Sequence, residues 1–318
     1  MKKYPDNVVL ESVSCPNGCV VNDKLILKGI DRLHGIIGEY SVFKCNTCNL
    51  ERTTPRPTAA TIAAYYPSNY APYHVTCEEV HNSKSKVRGW MRHFLSLNTR
   101  ILPPILLGRM LEIGCSSGSY MEQARLQGWQ VDGIEFSDDA ASIARSKGFK
   151  VQSGSLEKAS APQDKYDLIT AWMVLEHLHE PIFALQKLKE WIKPEGYLVA
   201  SVPVSKSLAK FFFKEYCYDL HLPNHLFHFT PKTLKNVLTN SGWMLERVFW
   251  QRNCNTLLWS FEYWAIEKNK PNALKFAKWL RLSQNALRIR SILNILLGIT
   301  HQSGRIEIWA RPINKDGL

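Results

Sequence analysis

Between residues 109 and 251 the chain alternates between short apolar runs and stretches with helical spacing. Met110–Ile113 is a short apolar run that ends in a turn of small residues. Tyr120–Gln127 follows with helical character and stops at Gly128, a residue type favoured just past a helix end. Val131–Glu135 reads as the next strand. Ser137 then caps a helix with Asp138 and Asp139 in its first turn, where the positive end of the helix dipole favours carboxylates, and Gly148 ends it. Asp167–Trp172 is a third strand. Pro181 suits the first position of a helix over Ile182–Ile192, and Gly196 opens a strand over Tyr197–Val202. Thr230-Pro231 starts a helix that ends at Gly242, and Trp243–Trp250 returns as a strand. Arg305–Arg311 alternates like a final strand able to re-enter the same sheet. This rhythm predicts an α/β fold: a doubly wound, mostly parallel sheet with helices on both faces.

The flanking segments follow other patterns. Residues 1–57 form a small module with strand character at Val20–Leu27 and Tyr40–Lys44, and Thr54-Pro55-Arg56-Pro57-Thr58 breaks regular structure at its exit. Residues 58–103 are expected to be a connector or lid, with a helical piece at Ala59–Tyr66 and a basic stretch from Ser83 to Arg92. The core spans 104–251, a helical insertion 252–304, and the last strand and tail 305–318. Within the insertion, Leu274–Leu297 reads as one helix. Lys275, Lys278, Arg281, Arg288 and Ser291 fall on one face, and Phe276, Trp279, Leu280, Leu287 and Leu293 largely on the others.

Composition narrows the class. A hydrophobic share of 45% with 21% charged residues over 318 residues excludes wholesale disorder. No window offers the roughly 18 apolar residues of a membrane span. Met1-Lys2-Lys3-Tyr4-Pro5-Asp6 lacks the apolar stretch of a secretory signal, so a cytoplasmic location is expected. Forty Lys and Arg against 28 Asp and Glu give 40 − 28 = +12, which favours an acidic partner: a phosphorylated substrate, nucleic acid or anionic lipid. Of eight cysteines, four fall in close pairs, Cys15/Cys19 and Cys45/Cys48. Such pairs can place four thiolates tetrahedrally around Zn²⁺, and a set with no open position implies a structural metal; four reduced thiols are the alternative.

The main candidate site is Leu111-Glu112-Ile113-Gly114-Cys115-Ser116-Ser117-Gly118-Ser119. A strand that runs through a glycine-bearing turn into a helix aims backbone N–H groups and the helix dipole at an anionic ligand group. Glu135, at the end of the next strand, can accept hydrogen bonds from both hydroxyls of a ribose. The segment resembles the first motif of class I S-adenosylmethionine-dependent methyltransferases, with Ser116 where the family commonly has a glycine, a departure that is tolerable if Ser116 stays at negative φ. The likeness continues through Gly133-Ile134-Glu135-Phe136-Ser137, Gly154-Ser155-Leu156-Glu157, Tyr166-Asp167-Leu168-Ile169, Val174-Leu175-Glu176-His177-Leu178 and Lys193-Pro194-Glu195-Gly196-Tyr197. It implies a Rossmann-like fold that binds S-adenosylmethionine through Glu112, Gly114, Cys115, Gly118, Glu135, Phe136, Ser155, Leu156 and Trp172. Gly114 and Gly118 would admit the methionine end, Glu135 the ribose, and Ser155 and Leu156 would flank adenine. The cysteine pairs, with Pro55-Arg56-Pro57 and Tyr65-Tyr66-Pro67-Ser68-Asn69-Tyr70, resemble a bacterial subgroup with a zinc-ribbon-like head that is often associated with cell-surface polysaccharide or sugar modification. Gly114-Cys115-Ser116-Ser117-Gly118 also fits the G-x-S-x-G elbow of α/β-hydrolases. Few strands precede Met110, however, and Glu135 has no part in that chemistry.

Acceptor-side candidates are Glu176, His177, His179 and the run His221–Phe229, both segments following strand ends in the expected alternation. His225 and His177 are the candidate general bases, imidazole having a pKa near neutrality. Tyr4, Tyr70, Tyr73 and Trp90 are candidates for a lid or sugar platform. The basic segment 274–297 could rest on anionic lipid, cap the active site or form a dimer surface. The expected function is therefore methyl transfer to an O, N or C acceptor on a small molecule or glycan-linked substrate. The alternatives are an RNA or protein methyltransferase that uses the zinc module and basic surface, or a non-catalytic binding protein; the cysteine module itself carries no dense Lys/Arg cluster.

Overall fold

A computed structural model describes residues 4–66 and 100–313. The basic stretch Ser83–Arg92, most of the expected connector, and Tyr70, Tyr73 and Trp90 lie outside the described residues.

The N-terminal part holds β1 (Leu10–Glu11), β2 (Asp23–Ile30), β3 (Glu39–Cys45), β4 (Glu51–Thr53) and β5 (Arg56–Pro57). The strand expected over Val20–Leu27 starts later, because Cys45 pairs with Asp23 and fixes the register there. Arg56–Pro57 is regular structure, not a break. It pairs antiparallel with β1, and Arg56 Nε donates to Glu11 Oε1 at 2.8 Å. The helix expected over Ala59–Tyr66 is a single 3-10 turn at Ile62–Tyr65.

The central sheet comprises β6 (Arg109–Ile113), β7 (Gln130–Glu135), β8 (Lys150–Ser153), β9 (Tyr166–Trp172) and β10 (Ile192–Pro203), with β12 (Trp243–Trp250) and β13 (Arg305–Pro312) beyond the short β11 (Phe227–His228). Its seven strands run in the order β12-β13-β10-β9-β6-β7-β8. All neighbours pair in parallel except β13, which lies antiparallel between β10 and β12. The final strand thus re-enters the sheet, as its alternation predicts. Centre strands read as continuous apolar runs because both of their faces are covered. Leu111, Ile113 and Ile169 pack against Leu185, Leu188 and Trp243, while Met110, Leu168 and Val199 pack against Tyr120, Trp129 and Trp309.

The helices on these faces are α1 (Ser119–Leu126), α2 (Asp138–Ser146), α3 (Pro181–Trp191), α4 (Leu208–Phe213) and α5 (Pro231–Asn240). Their starts follow the expected chemistry. Ser137 Oγ accepts from Ala140 N, and Thr230 and Thr233 form a reciprocal cap ahead of α5.

The insertion contains three helices, α6 (Asn255–Glu267), α7 (Pro271–Leu282) and α8 (Leu287–Ile299). The single helix expected over Leu274–Leu297 is interrupted at Ser283. That residue is extended, and its Oγ accepts from Asn285 N at 3.2 Å, a local bond that competes with the helix ladder. The basic face expected on one helix is therefore divided between two.

A second sheet joins the N-terminal part to the core. Its strand order is β11-β4-β3-β2, so Phe227–His228, from the core sequence, forms one edge of the cysteine module's sheet.

Candidate active site

Gly114 leaves β6 at a φ of 67° and Gly118 enters α1 at 79°, so both glycines occupy left-handed backbone that side-chain-bearing residues adopt at a cost. Ser116, between them, is also left-handed at 51°, so the condition of a negative φ is not met. The reason lies across the turn. Glu135, at the end of β7, accepts from Ser116 N through Oε2 and from Ser137 N through Oε1, both at 2.8 Å. A charge-assisted bond worth about 1.5–3 kcal/mol offsets the roughly 1–2 kcal/mol of left-handed strain at Ser116. Burial pushes the Glu135 carboxyl upward, against the N–H groups of Ser137, Ser116 and Phe136. Each oxygen has taken one of these N–H groups and retains acceptor capacity, which suits a ribose diol.

The other cofactor candidates divide by environment. Glu112 is buried in β6, and burial pushes its carboxyl up to about 8 despite the nearby Arg100. Cys115 packs beneath the turn with Met121 and Phe149, so its thiol faces the core. Trp172 stands at the end of β9 against the Tyr120 ring and the Arg100 guanidinium. Leu156 is buried at the start of a 3-10 turn that follows Ser155. Phe136 is exposed and leans on Tyr66, ring centroids 5.8 Å apart. Arg100, which bridges Trp172 and Tyr120, lay in unpatterned text and carried no signal in the sequence.

Tyr66 leads to a cluster of histidines. Its ring lies 6.1 Å from His177, whose ring is 4.7 Å from His225, itself 4.9 Å from His221. His177 Nδ1 lies 3.0 Å from Asn224 O and 2.8 Å from Tyr66 Oη, and His225 Nδ1 lies 2.8 Å from Asp219 O. A backbone carbonyl only accepts, so these partners assign the hydrogen of each ring to Nδ1 and leave Nε2 a bare base. Both Nε2 atoms lie 4.0 Å from Glu176 Oε1. Glu176 is fully buried, and neither oxygen finds a hydrogen-bond partner on another of the described residues. Burial pushes its carboxyl up to about 8, with the Arg305 charge opposing, and pushes His177 down to about 4 and His225 well below its usual range. The imidazoles are therefore neutral at pH 7. Two other histidines serve as ties: His179 Nε2 donates to Pro57 O, and His228 Nε2 meets Thr53 Oγ1 at 3.0 Å.

The four cysteines of the pairs converge as expected. The Sγ atoms of Cys15, Cys19, Cys45 and Cys48 all lie within 4.8 Å of one another, with Cys15 and Cys48 at 3.4 Å. Burial pushes Cys45 upward, but the N–H groups of Cys48 and Thr47 outweigh it and bring the thiol down to about 7; burial pushes Cys19 up to about 11. Such a group of thiols is a donor set of the type Zn²⁺ takes.

Hydrogen bonds connect the cysteine module to the histidines. Thr53 N donates to Leu226 O at 2.9 Å and Thr53 Oγ1 to His225 O at 2.8 Å. Asn224 Nδ2 donates to Tyr65 O, Leu226 N to Glu176 O, and Arg56 Nη2 to His179 O. Thr53 and Tyr66 were missed as site residues. Tyr66 stood in a tyrosine-rich stretch that marked it faintly; Thr53 had no signal.

A family model described as a methyltransferase domain matches residues 76–248. The chain belongs to that family, and its sheet and glycine turn are those of the class I S-adenosylmethionine-dependent methyltransferase fold. Among curated proteins it is 28% identical over 100 residues to a ubiquinone biosynthesis O-methyltransferase of Vibrio cholerae, covering 29% of this chain and 41% of that one. The chain thus spans less than half the length of such relatives. Among solved structures, an S-adenosylmethionine-dependent methyltransferase from Mesorhizobium loti is 19% identical at a TM-score of 0.44, over 66% of this chain and 93% of that one. One from Archaeoglobus fulgidus is 19% identical at 0.46, over 75% and 96%.

Proposed function

We propose that this enzyme methylates a hydroxyl or other protic group of a small-molecule or glycan-linked acceptor, with His177 as proton acceptor. S-adenosylmethionine supplies a methyl group already activated by the positive sulfur, so most of the catalysis comes from alignment and exclusion of water. Gly114 and Gly118 admit the cofactor's amino-acid end, Glu135 holds its ribose, Ser155 and Leu156 flank its base, and Phe136 and Trp172 border the crevice. His177 is the better placed base because it is part-exposed and adjoins Tyr66, whose ring in turn meets Phe136, whereas His225 is buried. His225 and Glu176 then act as positioning residues that stabilise the imidazolium formed when His177 takes the acceptor's proton. The observation that carries this reading is the pair of neutral imidazoles, each with its Nε2 4.0 Å from a buried carboxyl that has no hydrogen-bond partner on another of the described residues.

The cysteine set fits Zn²⁺, held by Cys15, Cys19, Cys45 and Cys48 in a structural role that orders the strands next to the histidine segment.

The test is to incubate the enzyme with isotope-labelled methyl donor and fractionated cell extract, and to identify the labelled product. Labelling that depends on His177 is expected; equal labelling by His177→Ala would overturn the assignment. One observation favours a second reading: Glu176, His177 and His225 also converge closely enough to hold a divalent cation. Turnover lost to chelation while the cysteine-bound zinc stays in place, and restored by added metal, would assign the cluster to that role.

A further inference from the structure

From the insertion we infer that this enzyme docks on an anionic lipid surface through α7 and α8. The inference stands on residues of α7 and α8, none of which is among those assigned to the acceptor site. Between Glu267 and Glu307 the sequence has no acidic residue, while residues 268–304 carry seven basic ones: Lys268, Lys270, Lys275, Lys278, Arg281, Arg288 and Arg290. Arg281 is consumed internally, paired with Glu262 at 2.5 Å. Lys275, Lys278 and Arg288 are exposed.

The same helices turn their apolar side chains outward. Along α8, Ile289, Ile292, Leu296 and Ile299 recur at spacings of three, four and three, a single stripe on one face. Their exposures are 44%, 57%, 52% and 64%, so the stripe is unpartnered among the described residues. On α7, Phe276, Trp279 and Leu282 are exposed as well. Leu280 and Leu297, with Leu293 packed against them, join these helices to a local core that also holds Cys254, Leu258 and Ala286, and Ala277 is buried as well. Folding thus uses one side of the hairpin and leaves a second apolar side in water.

Charge selects the occupant. A second copy docked by this face would set like charges against each other, with no carboxylate in the segment to answer them. Nucleic acid would answer the charge but leave the Ile and Leu stripe without an apolar partner. An anionic bilayer surface answers both: its headgroups meet Lys275, Lys278 and Arg288, and its acyl boundary takes the stripe. At 13 residues, α8 is about 20 Å long, short of the roughly 30 Å hydrocarbon core, so it lies on the surface and does not span it.

The full chain, mixed with phosphatidylcholine vesicles containing phosphatidylglycerol, should float with them, and should stay in solution with pure phosphatidylcholine. Added salt should weaken the binding. Ile292→Asp and Leu296→Asp should each reduce partitioning at least about tenfold, since each withdraws one aliphatic side chain from lipid. Lys275→Gln with Lys278→Gln should abolish the preference for the anionic lipid. Donor binding and methyl transfer to a water-soluble acceptor should be unchanged in all of them, which separates failure here from failure of the proposed function. No flotation on anionic vesicles, flotation unaffected by Ile292→Asp, or a concentration-dependent dimer that the stripe variants dissolve would overturn the inference.

Discussion

The cofactor turn and the histidine cluster sit side by side but are assembled in opposite ways. The turn comes from one continuous stretch, Leu111–Ser119, closed by a single carboxylate that arrives one strand later. The cluster comes from four segments distant in sequence: Tyr66, Glu176-His177, His221–His225 and, through its carbonyl contacts, Thr53 of the cysteine module. One is held by the backbone geometry of a strand–turn–helix unit, the other by side chains that rely on the packing of separate elements. The lesson is that donor binding and acceptor activation should fail independently when each is perturbed.

The largest expected break is at His177. His177→Ala should lower kcat by about 10²–10⁴-fold, the usual contribution of a positioned base. Calorimetric titration should give an unchanged donor affinity; a matching loss of donor affinity would show that the two regions are not separable. The reciprocal test is Glu135→Ala. Losing the ribose acceptor should weaken donor binding by about 10–100-fold, with a smaller effect on kcat at saturating donor.

Cys45→Ser, or zinc withdrawal, sharpens the comparison from a distance. It should cost turnover about tenfold through the strands that carry Thr53, the order of magnitude that supporting residues around a metal site command, and leave donor affinity nearly unchanged. Metal analysis and titration on the same preparation would check both halves.

The smallest effect concerns pH. The Glu176 carboxyl is raised to about 8 in the folded protein, against about 4.5 when unfolded. The folded state therefore holds a proton that the unfolded chain has released. This group's contribution to stability is fully present below about pH 4.5 and is lost as pH rises through about 8. Thermal melts at pH 5 and pH 8 should differ less for Glu176→Gln than for the parent. Turnover should rise by a few-fold above pH 8 in the parent, as the ionised carboxylate steadies the imidazolium, and that rise should flatten in the variant.

The same contrast explains what could be read from the residues alone. The turn and Glu135 were legible because each is local: glycine spacing, strand ends and helix caps leave marks within ten residues. His177 and His225 were visible as residue types at strand ends, but their order was not. The two read alike as candidate bases, and only the fold separates them, burying His225 and leaving His177 part-exposed. Thr53 and Arg100 left no mark because their roles depend on tertiary pairing, not on pattern. The basic segment misled for a related reason. Its helical spacing carries straight through Ser283, where a side-chain bond to Asn285 ends the helix without a proline or glycine to announce it.

The strand pairing between β4 and β11 bears on how such an enzyme can be rebuilt. Exchanging residues 1–57 for the head of another family member, as a cassette, would strip Phe227–His228 of its ladder and leave Arg56 and Thr53 without successors. A chimera therefore has to carry the 218–229 segment along with the donor's head, because strand β11 and the Thr53 bonds tie the two into one sheet.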